Sequence, residues 1–134
     1  MDTDLERLVR TRAGHRCEYC RFPESASELR FVLDHVIARQ HGGPTTAHNL
    51  ALCCVFCNVH KGPNLAGIDP VTGAMVPLFN PRHDLWTDRF FWHNARIVGQ
   101  TAVGRATIQV LAMNDPLQLS MRKALLAEGD FPPG

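Results

Sequence analysis

Cys17-Glu18-Tyr19-Cys20 and Cys54-Val55-Phe56-Cys57 bracket the stretch Phe31-Val32-Leu33-Asp34-His35-Val36-Ile37, and this arrangement decides the fold. Two Cys-x-x-Cys knuckles supply four thiolates, the number that closes a tetrahedral zinc site. Residues 21 to 53 lie between the pairs, more chain than the short linker of a simple zinc ribbon, so this segment must make structure of its own. It carries Asp34, His35 and Asn49. An acid and an imidazole side by side between two knuckles read as working groups: one metal folds the chain and a second does chemistry. The plainer reading, a carboxylate and an imidazole that satisfy nearby backbone, would be preferred without the flanking knuckles and is disfavoured with them.

The fifth cysteine, Cys53, adjoins Cys54. As a ligand in place of Cys54 it would break the two-residue spacing to Cys57, so Cys54 is assigned to the metal and Cys53 to a small buried side chain. An odd thiol count with adjacent cysteines fits zinc in a reducing compartment better than a secreted disulfide framework. The longest apolar runs fall well short of the roughly 20 residues that span a bilayer. Asp2, Asp4 and Glu6 are unlike a secretory leader, and a cytoplasmic protein with no membrane partner is expected.

Outward from the knuckles, Thr3 and Glu6 have the spacing of a capping box, which predicts a helix over 4–13 closed by Gly14. Residues 31–37 read as a strand, rich in β-branched and aromatic side chains. His41-Gly42-Gly43-Pro44 breaks the chain into a loop, and Leu50-Ala51-Leu52 is a second extended piece. The last cysteine of the second knuckle should start a helix that runs to Lys61 and stops at Gly62-Pro63. Beyond it, Asp69-Pro70-Val71-Thr72-Gly73 marks a turn between short extended pieces. Trp86, Phe90, Phe91 and Trp92 read as core rather than as base-stacking platforms. Helices are expected over 102–112 and from Asp115-Pro116 to Gly129, the latter docking through Leu117, Met121 and Leu125. The first few residues and the tail Phe131-Pro132-Pro133-Gly134 read as disordered.

With 134 residues and 45% hydrophobic composition, the chain suffices for one domain that buries roughly two thirds of its unfolded surface. The expectation is a single α+β domain. A small ββα core with two zinc knuckles spans about 15–62, preceded by an N-terminal helix and followed by a helical extension over about 63–134. A net charge of +1 and a pI near 7.7 make no global case for nucleic acid, so any such binding is local. His35, Arg39, His41, His48, His60 and Lys61 do gather around the candidate site.

Taken together, Cys17-x-x-Cys20, Asp34-His35-Val36-Ile37, His41-Gly42-Gly43, Asn49-Leu50 and Cys54-x-x-Cys57-Asn58-x-x-Lys61-Gly62 resemble an HNH endonuclease of the ββα-metal superfamily, of the kind built around a four-cysteine zinc site. The resemblance covers residues 17 to 62. It implies a metal-dependent DNA endonuclease that leaves 5′-phosphate and 3′-hydroxyl ends. His35 becomes the first residue of the triad and the general base, Asn49 the middle one, and Asn58 the last, where many members have histidine. Asp34 and Asn58 then hold a divalent cation against the scissile phosphate.

The chemistry asks for the same residue types. Hydrolysis of an anionic diester by water needs a base with a pKa near 7 and a cation that offsets developing charge. One carboxylate and one amide oxygen form a hard donor set, which favours Mg²⁺ or Mn²⁺ over a second zinc. Asn49, able to donate and accept at once, reads as a brace for the loop and for His35. His41 reads as structural. His60 lies about 200° around the helix from Asn58 and is disfavoured as a ligand; with Arg39 and Lys61 it is a candidate for nucleic-acid contact. On a regular strand Asp34 and His35 would point to opposite faces, so the strand must end or twist there if both serve one site. The alternative function is a non-catalytic zinc-stabilised module that binds DNA or a protein partner. The apolar C-terminal helix also offers a homodimer surface, although core packing uses the same side chains.

Overall fold

The computed structural model describes residues 2–132; Met1, Pro133 and Gly134, part of the ends expected to be disordered, lie outside the described residues. The chain divides into two compact units, one formed by Met1–Leu65 with Asn80–His83 and the other by Ala66–Phe79 with Asp84–Gly134.

In the first unit, α1 (Thr3–Arg12) is capped by Asp2, whose carboxylate accepts from the Asp4 amide at 2.9 Å. Thr3, expected as the cap, is the first helical residue instead; a carboxylate one position earlier does the same work at the positive end of the helix. Arg10 and Arg12 in the last turn tie the helix to the chain beneath it. Arg10 donates to the Phe31 carbonyl at 2.8 Å, and Arg12 to the Ala47 and Leu50 carbonyls at 2.9 and 2.7 Å.

Strands β1 (Val32–His35) and β2 (Leu50–Cys53) pair antiparallel, with Asp34 opposite Ala51 and His35 opposite Leu50. All four residues of β2 are buried, which explains its unbroken apolar sequence Leu50-Ala51-Leu52-Cys53. Helix α2 (Val55–Lys61) follows directly, so the order is ββα. It starts two residues before Cys57, earlier than expected, because Cys54 serves as its cap and its sulfur accepts from the Cys57 amide at 3.3 Å. Asn80–His83, expected within the extension, belongs to this unit, and Arg82 reaches the buried Glu18 carboxylate.

Among the described residues, the second unit holds two hairpins and three helices. Hairpin β3 (Ala66–Ile68) with β4 (Met75–Pro77) turns on Asp69, which Arg105 grips with two bonds of 2.9 Å. The short α3 (Trp86–Arg89) leads into hairpin β5 (Phe90–His93) and β6 (Arg96–Gly99). Trp86 and Phe90 are buried in contact, with ring centroids 5.0 Å apart, as core aromatics should be. Phe91 departs from that expectation: as the next residue on the strand it faces outward and is exposed. Helix α4 (Ala102–Leu111) is capped by the Thr101 hydroxyl. A Cβ on Gly104 would sit 2.1 Å from the Arg89 carbonyl oxygen, so only glycine permits this approach.

Helix α5 (Pro116–Ala127) has the expected Asp115 cap and Pro116 in its first turn, but not the expected docking stripe. Leu117 is 63% exposed, while Gln118 and Arg122 are buried. The guanidinium of Arg122 donates to the Ala95 carbonyl and to Asn114, so polar anchoring outranks the leucine repeat in setting the rotation of the helix. Phe131, assigned from sequence to the disordered tail, is buried with its ring edge-on to Trp92. Among the described residues no helix is long and apolar enough to cross a membrane.

Candidate functional site

The four cysteines of the knuckles converge. The sulfur atoms of Cys17, Cys20, Cys54 and Cys57 all lie within 4.8 Å of one another, and all four residues are buried. A tetrahedral zinc with bonds near 2.3 Å requires sulfurs about 3.8 Å apart; the Cys20 and Cys54 sulfurs are 3.8 Å apart. The donors therefore fit a structural zinc ion in type, number and spacing. Burial pushes the Cys17 thiol up, yet hydrogen bonds from the surrounding cysteines outweigh it and hold this thiol well below its ordinary value. Bonds to Cys17 and Cys20 push Cys54 and Cys57 the other way. A zinc ion that takes four thiolates displaces their remaining protons. Cys53 is pushed up chiefly by burial and stays a thiol beside Cys17, outside the cluster of four.

The ββα order carries the cluster and the acid–imidazole pair on adjoining pieces of chain. Asp34, His35, Arg39, Gln40 and Asn58 line one cleft of about 280 Å³, together with Gly62 and Pro63. The opposite-face problem is resolved because β1 ends at His35, which lets neighbouring side chains border a common space. The His35 imidazole is half-buried, and its Nε2 lies 2.9 Å from the Thr45 hydroxyl, which fixes the ring. Arg39 is exposed at the rim.

Asp34 is only 4% exposed and heavily bonded. The Tyr19 hydroxyl donates to its Oδ2 at 2.8 Å, the Asn58 amide to its Oδ1 at 3.3 Å, and the Lys61 ammonium lies 3.2 Å from each oxygen. Burial pushes the Asp34 carboxyl above its usual range, and the Lys61 charge and Tyr19 hydroxyl oppose that shift. Tyr19 is in turn pushed well above its ordinary value by burial and by the Asp34 charge, so it remains a donor.

Asn49 lies between the two strands, just before β2, and braces the loop that joins them. Its Oδ1 accepts from the Ile37 amide, and its Nδ2 donates to the Ile37 and Pro44 carbonyls, all at 2.9 Å. Gly43 fits beneath it: a Cβ there would lie 1.7 Å from the Ile37 carbonyl oxygen. His41 is exposed, and its backbone amide donates to Ala38. His60 is exposed on α2, turned away to the Phe56 carbonyl at 2.8 Å. Lys61 corrects its sequence reading. It is 2% exposed, and its ammonium is committed to Asp34 and to the His35 carbonyl, so it is not a surface cation for phosphate.

Two participants escaped the sequence reading. Tyr19 sits inside a zinc knuckle, where it looks like filler, and Thr45 lies in the loop; neither has a spacing signal that ties it to Asp34 or His35. A second hollow of about 300 Å³ is lined by Arg10, His15, Glu24 and Arg30. Its arginines are spent on Glu24 and Glu6, and it lies apart from Asp34 and His35.

A divalent cation, were one bound here, would find hard oxygen donors in Asp34 and Asn58, which line one cleft. Asn58 would have to turn its amide oxygen, rather than its NH₂, toward the ion.

No curated protein and no solved structure matched the chain. Residues 17–64 match the family model described as HNH endonuclease. With the ββα order and the four-cysteine cluster suited to zinc, this match identifies residues 17–64 as an HNH domain, a family that points to nuclease-type function.

Proposed function

We propose that the chain is a metal-dependent DNA endonuclease in which His35 is the general base. The observation that carries this reading is the shared cleft of His35, Asp34, Asn58 and Arg39. A half-buried imidazole held by a hydroxyl is oriented yet reachable by water, which suits it to take a proton from the attacking water. A Mg²⁺ or Mn²⁺ ion held by Asp34 and Asn58 would supply charge neutralisation at the scissile phosphate. Arg39 at the rim meets a neighbouring phosphate, and Asn49 keeps the His35 loop in register through three backbone bonds. The five free cysteines accord with a reducing, cytoplasmic setting.

The second reading, a non-catalytic zinc-stabilised module that binds DNA or a protein partner, draws on one observation: Asp34 is already neutralised by Lys61. Plasmid nicking with Mg²⁺ or Mn²⁺ separates the two. The native chain should nick and His35→Ala should lose at least about a hundredfold in rate, the usual scale of a general base. DNA binding without nicking in the native chain sinks the nuclease reading and supports the module.

A further inference from the structure

We propose that Lys61 is a built-in counter-cation for Asp34 that sets the affinity of this site for a divalent ion, so that removing the lysine charge tightens cation binding. The inference rests on the reading of Asp34 and Asn58 as the cation's donors and adds what limits them.

A carboxylate offers about four lone-pair directions. At Asp34 the Tyr19 hydroxyl takes one on Oδ2, the Asn58 amide one on Oδ1, and the Lys61 ammonium sits 3.2 Å from both oxygens. The third hydrogen of the ammonium goes to the His35 carbonyl at 3.2 Å. Both side chains are buried, so water screens their attraction little. The pair is neutral as a unit. A dication that approaches Asp34 from the cleft therefore meets a carboxylate whose charge is already offset, and is repelled by the ammonium bonded to it. The amide of Asn58 adds no charge. Such a site holds Mg²⁺ or Mn²⁺ weakly on its own and gains most from the negative charge of a phosphodiester.

The test is direct cation binding to the full, zinc-loaded chain, read from the electron paramagnetic resonance of free Mn²⁺. Lys61→Met should bind Mn²⁺ at least about tenfold tighter than the native chain, whereas Lys61→Arg, which keeps the charge, should stay near native. Asp34→Asn in the Lys61→Met background should abolish binding. Equal affinity of Lys61→Met and native chain, or tightening by Lys61→Arg as well, overturns the proposal.

Loss of Lys61 leaves a buried carboxylate unpaired, so the variant is checked by circular dichroism and zinc content. If it does not fold, the native chain decides. Lys61 and Lys123 are its only lysines, so ¹³C-labelled lysine gives two side-chain signals. Added Mg²⁺ should shift the buried Lys61 signal saturably and leave the exposed Lys123 signal in place. A Lys61 signal that stays put while bound Mn²⁺ is measured overturns the proposal, as does the absence of bound Mn²⁺ in every variant. Plasmid nicking keeps the two ideas apart. Tight Mn²⁺ binding without cleavage sinks the nuclease alone; His35-dependent cleavage with unchanged affinity in Lys61→Met sinks this inference alone.

Discussion

Asn49 holds Ile37 by both of its backbone groups, accepting from the amide and donating to the carbonyl at 2.9 Å each. The same amide also reaches the Pro44 carbonyl, so one buried side chain closes the loop that follows His35. Asn49→Ala removes all three bonds, and at about 1 kcal/mol for each the loss should be roughly 3 kcal/mol in denaturant unfolding. Asn49→Asp should be at least as damaging, because a carboxylate would face two carbonyl oxygens it cannot bond. An aspartate variant of native stability would refute the bracing role.

Gly43 completes that loop from below. An added methyl group would overlap the Ile37 carbonyl oxygen at 1.7 Å and crowd the Asn49 amide at 2.8 Å, and both are already engaged with each other. Gly43→Ala should therefore destabilise by roughly 2 kcal/mol or more and lower nicking activity with it. His41→Ala, an exposed neighbour, should stay within about 0.5 kcal/mol of native. Thermal melts of the two variants side by side check the contrast.

The sulfur cluster predicts its own selectivity. Metal analysis should find one zinc per chain, lost in Cys17→Ala and Cys57→Ala but kept in Cys53→Ala, since Cys53 lies outside the four converging sulfurs. Structural zinc in such sites contributes roughly 10 kcal/mol or more of binding free energy, which is folding free energy. A strong chelator should thus unfold the unit that contains α1, β1, β2 and α2, with loss of its helical circular dichroism. Retained structure after complete zinc removal would contradict this.

The Asp69–Arg105 clamp gives the other unit a pH dependence of known sign. Hydrogen bonds from Arg105 hold the Asp69 carboxyl well below the usual carboxylate range, with Thr72 and Val71 assisting. A depressed native pKa means stability that is fully present above the unfolded value of about 3.9 and is lost as pH falls from there through the native value. The melting temperature of Asp69→Asn should lie below native by a constant gap between about pH 7 and 4, and the gap should close under stronger acid. Trp86 and Trp92, the only tryptophans, both lie in this unit, and their fluorescence reads the transition.

The zinc ligands, the hairpin strands and the helix that follows them were legible in the sequence because each rests on local rules. Cys-x-x-Cys spacing, β-branched runs and Gly-Pro stops act over a few residues. Misreadings fell where distant groups decide. Lys61 looked like a surface cation until packing set it 3.2 Å from Asp34, and Leu117 looked like a docking residue until Arg122 and Asn114 fixed the rotation of α5. Asn80–His83 looked like extension until Arg82 met Glu18.

By itself the sequence determined which atoms can bind soft and hard metals: five thiols, one acid beside one imidazole, and two asparagines at set spacings. Only the tertiary structure decided which of those atoms share a space and what charge surrounds them. Burial and ion pairing depend on side chains brought together from far apart along the chain, as Tyr19, Asp34, Asn58 and Lys61 are around one carboxylate.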